Sequence, residues 1–150
     1  MPFHFNSTPL APGSVIFPGN WGRIVLRAGK AHSFYRRETI LEDIRQAEFP
    51  DKPSRLAAAY FFDTEEMAKV YGMADQLRYI TGILYEVELL NPSAPQHRTD
   101  WNALPQSENP DADMARRYWQ GYEYSLVVGA IERVEVLSQT PMKIVREIPY

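Results

Sequence analysis

One glutamate stands at the start of an apolar strand pattern late in the chain. Glu123 precedes the run from Tyr124 to Val128, which is typical of a buried strand. A carboxylate at the mouth of a strand can accept hydrogen bonds from sugar hydroxyls and stabilise positive charge that develops at an anomeric carbon. Glu123 is therefore a candidate catalytic residue, and the alternative is a solvated glutamate at a strand end.

Two later glutamates are weaker candidates for the same role. Glu132 and Glu135 alternate along the chain with Ile131, Val134 and Val136. Polar residues that alternate with apolar ones along a strand are typical of its outward face. The pattern therefore predicts that both glutamates face outward, away from the core.

Three further side chains could hold a flat or phosphorylated ligand. Tyr60 lies in an apolar run, where its ring could stack on a heterocycle or simply pack in the core. His4 lies between two phenylalanines and could hydrogen-bond a ribose or a carboxamide, or be a satisfied, partly buried histidine. Arg55 could pair with a phosphate through its planar guanidinium, or form a surface salt bridge with an acid such as Asp51.

A strand that turns directly into a helix positions most of these groups. The segment from Leu56 to Phe62 predicts a buried strand, and Asp63 or Thr64 can cap the amphipathic helix that follows. Tyr71 lies near the end of that helix. Polar and aromatic groups therefore share one edge, which is the predicted site.

The remaining elements predict an α+β fold in a single domain, residues 1–150. The segment 11–30 contains four glycines and predicts turns joined by short extended pieces. Residues 91–113 predict a long polar loop, which in a compact domain is usually functional or partly disordered. Helices are predicted over residues 35–48 and 111–120, and strands over 3–6, 83–89, 123–128, 131–137 and 142–148. Helices early and strands late indicate a mainly antiparallel sheet or pair of sheets.

Composition excludes several classes of protein. The formal net charge of −3 argues against a general nucleic-acid-binding module. The chain has no cysteine and only three histidines without HExxH spacing, so no metal site is predicted. No signal peptide or apolar stretch of about 18 residues occurs, so we expect no membrane segment and a cytoplasmic location, unless a non-Sec route delivers the protein into a target cell.

The order of these residues resembles the ADP-ribosyltransferase superfamily, in the branch whose triad is His, Tyr and Glu. His4 in its short strand is similar to the histidine of that branch. The run Tyr60-Phe61-Phe62-Asp63, followed by an alanine and Tyr71, is similar to its strand-to-helix element. Glu123 with the aliphatic run behind it resembles the third element. As a whole the chain looks like a small bacterial group in this superfamily, with residues 49–55 as the most distinctive run.

The resemblance implies NAD as the substrate and a fold of split antiparallel sheets with a few flanking helices. NAD would bind in a cleft between the two sheets, with its nicotinamide between Tyr60 and Tyr71. His4, with Asn6 in the same strand, would hold a ribose or the carboxamide, and Ser54 with Arg55 would face the ribose or pyrophosphate. Glu123, Tyr60 and His4 would be the catalytic residues.

The activity implied by the resemblance is transfer of ADP-ribose from NAD to a macromolecular acceptor, either protein or nucleic acid. Such an enzyme would be a toxin, an effector or a defence enzyme, and an antitoxin or immunity protein would be a further partner. Three alternatives stay open: an NAD glycohydrolase or phosphorylase, an RNA 2′-phosphotransferase, and a non-catalytic binding domain. A phosphotransferase needs several basic residues in its cleft, and the sequence offers few candidates.

Overall fold

The computed structural model describes residues 1–104, 110–121 and 133–150. These residues contain seven β-strands, five α-helices and three short 3-10 turns. The strands are β1 (Phe3–Asn6), β2 (Val15–Ile16), β3 (Ala59–Phe61), β4 (Ile83–Leu89), β5 (Gln96–Asp100), β6 (Val134–Ser138) and β7 (Met142–Ile148). The helices are α1 (Asn20–Ala28), α2 (Tyr35–Glu48), α3 (Glu65–Met73), α4 (Gln76–Thr81) and α5 (Ala112–Gln120).

The described strands form two antiparallel sheets. The first has the order β1-β4-β7-β2 and the second has the order β3-β6-β5. Every neighbouring pair runs antiparallel. The mixture of helices with antiparallel sheets confirms the α+β class.

The two sheets meet where β1 passes the end of β3. Phe3 and Phe62 exchange backbone hydrogen bonds of 2.9 and 2.8 Å across this point. One antiparallel bridge of this kind fixes the register of the two strands without merging the sheets. It therefore brings the side chains of β1 and β3 to a shared edge.

Strand β6 is the centre of the packing. It lies between β3 and β5, and all five of its residues are buried. Leu137 packs with Leu41 and Trp119 of the helices α2 and α5, whereas Val136 and Val134 belong to two other apolar clusters between and beside the sheets. A side chain on β6 is consequently surrounded by protein on either face.

Helices α2, α3 and α5 confirm the predictions made from their apolar spacing. The Thr64 hydroxyl caps α3 by accepting from the Met67 N–H at 3.2 Å, and the Asp111 carboxylate caps α5 through the Met114 N–H at 2.7 Å. Side-chain oxygens at these positions satisfy N–H groups that have no partner within a helix. The strands β1, β4 and β7 were also predicted correctly.

The prediction of turns over residues 11–30 was wrong in its second half, because α1 occupies residues 20–28. Gly22, one of the four glycines of this segment, lies in the helix where α1 crosses the 3-10 turn Arg55–Ala57. A Cβ atom on Gly22 would stand 1.8 Å from the Leu56 carbonyl oxygen. Glycine is thus present because the backbones approach closely, which outweighs its low helix propensity.

The prediction of a long polar loop over 91–113 was wrong for residues 96–100, which form β5. Strand β5 is polar in sequence, yet His97 and Thr99 are 2% and 1% exposed. Both side chains hydrogen-bond the Tyr118 carbonyl oxygen at the end of α5, at 2.9 and 3.0 Å. Polar residues can alternate into a core when each finds a partner, and a search for apolar alternation misses such a strand.

The predicted strand over 56–62 is shorter in the structure. Residues 55–57 form a 3-10 turn, which the Ser54 hydroxyl caps through the Leu56 N–H at 3.2 Å, and β3 begins at Ala59. In the predicted strand over 131–137, the described residues begin at Arg133 and β6 begins at Val134. The strand predicted over residues 123–128 lies outside the described residues.

No helix within the described ranges is both long enough and apolar enough to cross a lipid bilayer.

Candidate functional site

A pocket of about 990 Å³ opens where β1 meets β3. His4 of β1, Tyr60 of β3 and Tyr71 of α3 all line it, as do Arg55 and Glu135. A volume of this size lies at the upper end of the range for small-molecule and cofactor sites. The pocket is therefore the candidate functional site among the described residues.

His4 and Tyr60 are joined directly, although they are 56 residues apart in the chain. The His4 Nδ1 atom lies 2.7 Å from the Tyr60 carbonyl oxygen. A carbonyl oxygen only accepts, so Nδ1 carries the ring proton and Nε2 is left as an acceptor. Burial lowers the pKa of His4, and the hydrogen bond to Tyr60 offsets only part of that effect. The imidazole is consequently neutral at pH 7.

Tyr71 belongs to an aromatic wall of the pocket. Its ring centroid lies 4.9 Å from that of Phe62 and 5.4 Å from that of Trp101. The guanidinium carbon of Arg78 stands 3.7 Å from the Tyr71 centroid, and Arg78 also donates to the Tyr71 carbonyl oxygen at 2.6 Å. A cation over a ring face stabilises the pair. A flat ligand that stacks on Tyr71 must therefore use the other face or displace Arg78.

Arg55 is buried and held by two carboxylates. Its Nε donates to Glu38 at 2.9 Å, its Nη1 donates to Glu135 at 2.9 Å, and Nη1 also donates to the Tyr118 hydroxyl. The Tyr60 hydroxyl donates to the Arg55 carbonyl oxygen at 2.7 Å. The alternative interpretation, a surface salt bridge to an acid such as Asp51, was wrong, because the ion pairs of Arg55 are internal. A guanidinium committed to two buried acids has little capacity left for a phosphate.

Glu38 extends this ionic network to Arg37. The Arg37 side chain donates to Glu38 through Nη2 at 2.8 Å, and both residues are buried. Burial raises the pKa of the Glu38 carboxyl, but attraction to Arg55 and the hydrogen bonds it receives outweigh this, so the pKa lies below its usual value. Glu38 is therefore ionised at neutral pH.

The prediction that Glu135 faces outward was wrong. Glu135 is 6% exposed, and its Oε1 accepts from Arg55 and, at 3.0 Å, from the Tyr118 hydroxyl. The alternation along β6 was correct, but it only separates two faces and does not say that one face is wet. Because β6 is a central strand with protein on both sides, its second face lies in the core and against the pocket.

The other predicted site residues lie elsewhere. The Asn6 side chain accepts from the Thr8 N–H at 3.0 Å, and the Ser54 hydroxyl donates to Glu42 at 2.8 Å. Neither Asn6 nor Ser54 lines the pocket. Glu123 lies outside the described residues.

Among the described residues, four arginines and two carboxylates line the pocket, although the whole chain is acidic. Arg37 and Arg55 are committed to the buried network, whereas Arg78 and Arg133 pair with no carboxylate among the described residues. Asp75 and Glu135 are the acids. The expectation of few basic residues in the cleft was thus wrong, because arginines distant in sequence converge there.

Among the described residues, no cluster of metal-ligating side chains could hold a metal ion.

Two tryptophans that we did not predict as site residues also line the pocket. Trp21 lies on α1, and Trp101 follows β5. The indole Nε1 atom of each is buried and has no hydrogen-bond partner among the described residues. Both lie in segments that were interpreted as turns and loop, so no pattern in the sequence placed them beside His4 and Tyr60.

Comparison with protein families gives a match. Residues 22–149 match the family described as "Protein of unknown function (DUF2441)", and the chain belongs to that family. A search of curated proteins gives no match.

Proposed function

For this member of the DUF2441 family, we propose an NAD-dependent ADP-ribosyltransferase with the split-sheet fold of that superfamily. The observation that carries the proposal is the hydrogen bond between His4 and Tyr60, with Tyr71 lining the same pocket. These are the histidine and the two tyrosines that the sequence resemblance assigns to NAD binding. They come from β1, β3 and α3, and nothing in their separate sequence patterns required them to share a cavity.

The neutral His4 ring suits the role of a hydrogen-bond acceptor for NAD. Its Nδ1 proton is held by the Tyr60 carbonyl at 2.7 Å, which fixes the ring and leaves Nε2 without a proton. Such an acceptor can bind a ribose hydroxyl or the N–H of the nicotinamide carboxamide. A charged ring could donate only, so the lowered pKa of His4 favours this role at neutral pH.

Two carboxylates are candidates for the group that stabilises the reacting ribose. Glu123 is the candidate from the sequence, and Glu135 lines the pocket. The Glu135 Oε1 atom is fixed by Arg55 and Tyr118, so the carboxylate is held in one orientation. A carboxylate preorganised in this way stabilises positive charge better than a mobile one. We therefore propose that Glu135 acts at the ribose, alone or together with Glu123.

The arginines that pair with no described carboxylate suit the pyrophosphate. Arg78 and Arg133 line the pocket, and a guanidinium binds phosphate oxygens through paired N–H groups. The sequence resemblance gave this role to Arg55, but Arg55 is held by Glu38 and Glu135. We accordingly assign the pyrophosphate to Arg78 and Arg133.

The proposed reaction breaks the bond between ribose C1′ and the nicotinamide nitrogen. Nicotinamide leaves as a neutral ring with the bonding electron pair, and positive charge develops on the ribose. The pocket carboxylate stabilises that charge. A nucleophile on the macromolecular acceptor then forms a bond to C1′ and loses its proton.

The test is release of nicotinamide from NAD by the purified protein, with and without a cell lysate as the source of acceptor. We expect Glu135→Gln to lower the rate by about 100-fold or more, since one preorganised group contributes that much in other enzymes. Glu123→Gln is measured in parallel. Glu88→Gln is the matched control, because Glu88 is an exposed strand glutamate that pairs with Lys143 outside the pocket.

Two outcomes would contradict the proposal at different levels. Full activity in both Glu135→Gln and Glu123→Gln would remove the carboxylate assignment and leave the activity intact. No nicotinamide release and no binding of millimolar NAD by the wild-type protein would refute the activity itself. Mass analysis of the products separates transfer, which leaves ADP-ribose on a large acceptor, from hydrolysis and from phosphorolysis.

RNA 2′-phosphotransfer is a second candidate function, because four arginines line the pocket. A phosphorylated RNA needs more positive charge than NAD alone. Incubation with NAD and an RNA oligonucleotide that carries an internal 2′-phosphate tests this candidate. Loss of the 2′-phosphate would favour it, whereas an ADP-ribosylated protein acceptor would favour the first proposal.

A further inference from the structure

The pocket has two separate aromatic groups. One consists of Trp21, His32 and Phe34, whose ring centroids lie 5.2 to 6.3 Å apart. The other surrounds Tyr71, whose ring contacts those of Phe5, Phe62 and Trp101. Within the described part of the chain, no ring contact joins the two groups. Each group contributes residues to the pocket lining.

A line of charged side chains leads from the first group to Glu135. The Arg37 guanidinium lies 4.1 Å from the Phe34 centroid and donates to Glu38. Glu38 accepts from Arg55, which in turn donates to Glu135. The pocket lining thus combines two aromatic groups with the charged side chains of Arg37, Arg55 and Glu135. A ligand with two flat rings and a polar connection offers matching chemistry.

Each aromatic group also contains an indole N–H that lacks a partner among the described residues. These are the Nε1 atoms of Trp21 and Trp101. A buried donor without a partner costs free energy, and one that lines a cavity is satisfied when a ligand offers an acceptor. The remaining tryptophan, Trp119, donates to the Leu41 carbonyl oxygen at 2.8 Å. The unpartnered indoles are thus those that line the pocket.

We propose that Trp21, supported by Phe34 and His32, forms a purine subsite of this pocket. This rests on the proposed function, and it assigns the adenine of NAD to α1 and the nicotinamide to the Tyr71 group. The purine stacks on the indole of Trp21, and the adjoining ribose accepts from the Trp21 N–H.

The indole N–H signals of the three tryptophans test this without a mutation. In a nitrogen-15 labelled wild-type sample, AMP and ADP-ribose should shift the Trp21 signal, and nicotinamide mononucleotide should shift the Trp101 signal. The Trp119 signal is the internal control and should stay in place. Trp21→Phe assigns the Trp21 signal and keeps an aromatic ring. Signals that move equally with both mononucleotides, or a Trp21 signal unmoved by AMP and ADP-ribose, would overturn the subsite.

Affinity measurements with Trp21→Ala give an independent readout. We expect NAD, ADP-ribose and AMP to bind about 10-fold or more weakly, because base stacking on an aromatic side chain contributes at this level, and nicotinamide mononucleotide to bind as before. Equal weakening of all four ligands, or of none, would contradict the subsite even if the wild type cleaves NAD. AMP binding that depends on Trp21 in a protein that releases no nicotinamide would refute the transferase and leave the subsite standing.

Discussion

Replacing Arg55 with methionine should destabilise the protein in a way that depends on pH. Arg55 is the only described cation that contacts both Glu38 and Glu135, and the three side chains are 6%, 1% and 7% exposed. Arg55→Met leaves Glu38 with Arg37, but it leaves Glu135 with only the Tyr118 hydroxyl among the described residues. The main consequence is a buried carboxylate without a cation.

The expected magnitude follows from the burial of this network. Removing one partner of a buried ion pair costs about 3 to 5 kcal/mol of unfolding free energy, because the remaining charge is not compensated. In the wild type the pKa of Glu38 lies below 4.5, so the contribution of that group is fully present above pH 4.5 and is lost as the pH falls through the folded-state pKa. Arg55→Met removes the first of the charges that lower the pKa of Glu38, so the stability gap between wild type and variant narrows as the pH falls below 4.5.

The assay is urea unfolding of wild type and Arg55→Met at pH 8 and at a pH below 4.5. We expect the stability gap to be about 3 to 5 kcal/mol at pH 8 and to narrow below pH 4.5, where Glu38 loses the contribution of its ionised form. Arg55→Met combined with Glu135→Gln should recover stability at pH 8. A gap below about 1 kcal/mol, or one that does not change with pH, would refute this account of the network.

Two further predictions concern Gly22 and His97. Gly22→Ala should lower the unfolding free energy by about 1 to 3 kcal/mol, because the added Cβ would overlap the Leu56 backbone at 1.8 Å. Urea denaturation measures this free energy. An increase in unfolding free energy, which the higher helix propensity of alanine alone would give, would contradict the prediction. Burial lowers the pKa of His97 from 6.5 to about 4, and the hydrogen bond to Tyr118 offsets only part of this shift. The native state therefore binds a proton at His97 less readily than the unfolded chain does, and it loses stability as the pH falls from 6.5 to 4. Wild type should lose about 3 kcal/mol more than His97→Gln over this range, and equal losses in unfolding titrations would show that His97 is not the group responsible.

Local sequence patterns were sufficient to predict those helices and strands whose apolar residues recur with the period of a single type of secondary structure. Helix α2 and strand β4 have that property, and the helix caps at Thr64 and Asp111 could be recognised from residue type and position. These interactions join residues only a few positions apart, so a short window of sequence contains both partners.

Elements whose residues are explained only by distant partners could not be predicted in this way. Gly22 is a glycine because Leu56 crosses it. His97 is a core residue because the carbonyl of Tyr118 accepts from it. In both cases the deciding atom lies more than 20 positions away in the chain, and no local periodicity records it.

The sequence by itself determined which side chains are available to the site: His4, Tyr60 and Tyr71 were recognised by their order and their neighbours. Tertiary structure alone decided which of the other groups face the pocket. It buried Arg55 between two carboxylates and turned Glu135 inward. The physical reason is that the alternation of residues along a strand defines only its two faces. The elements that pack against each face decide whether a charged side chain on that face contacts water, an ion-pair partner or a ligand.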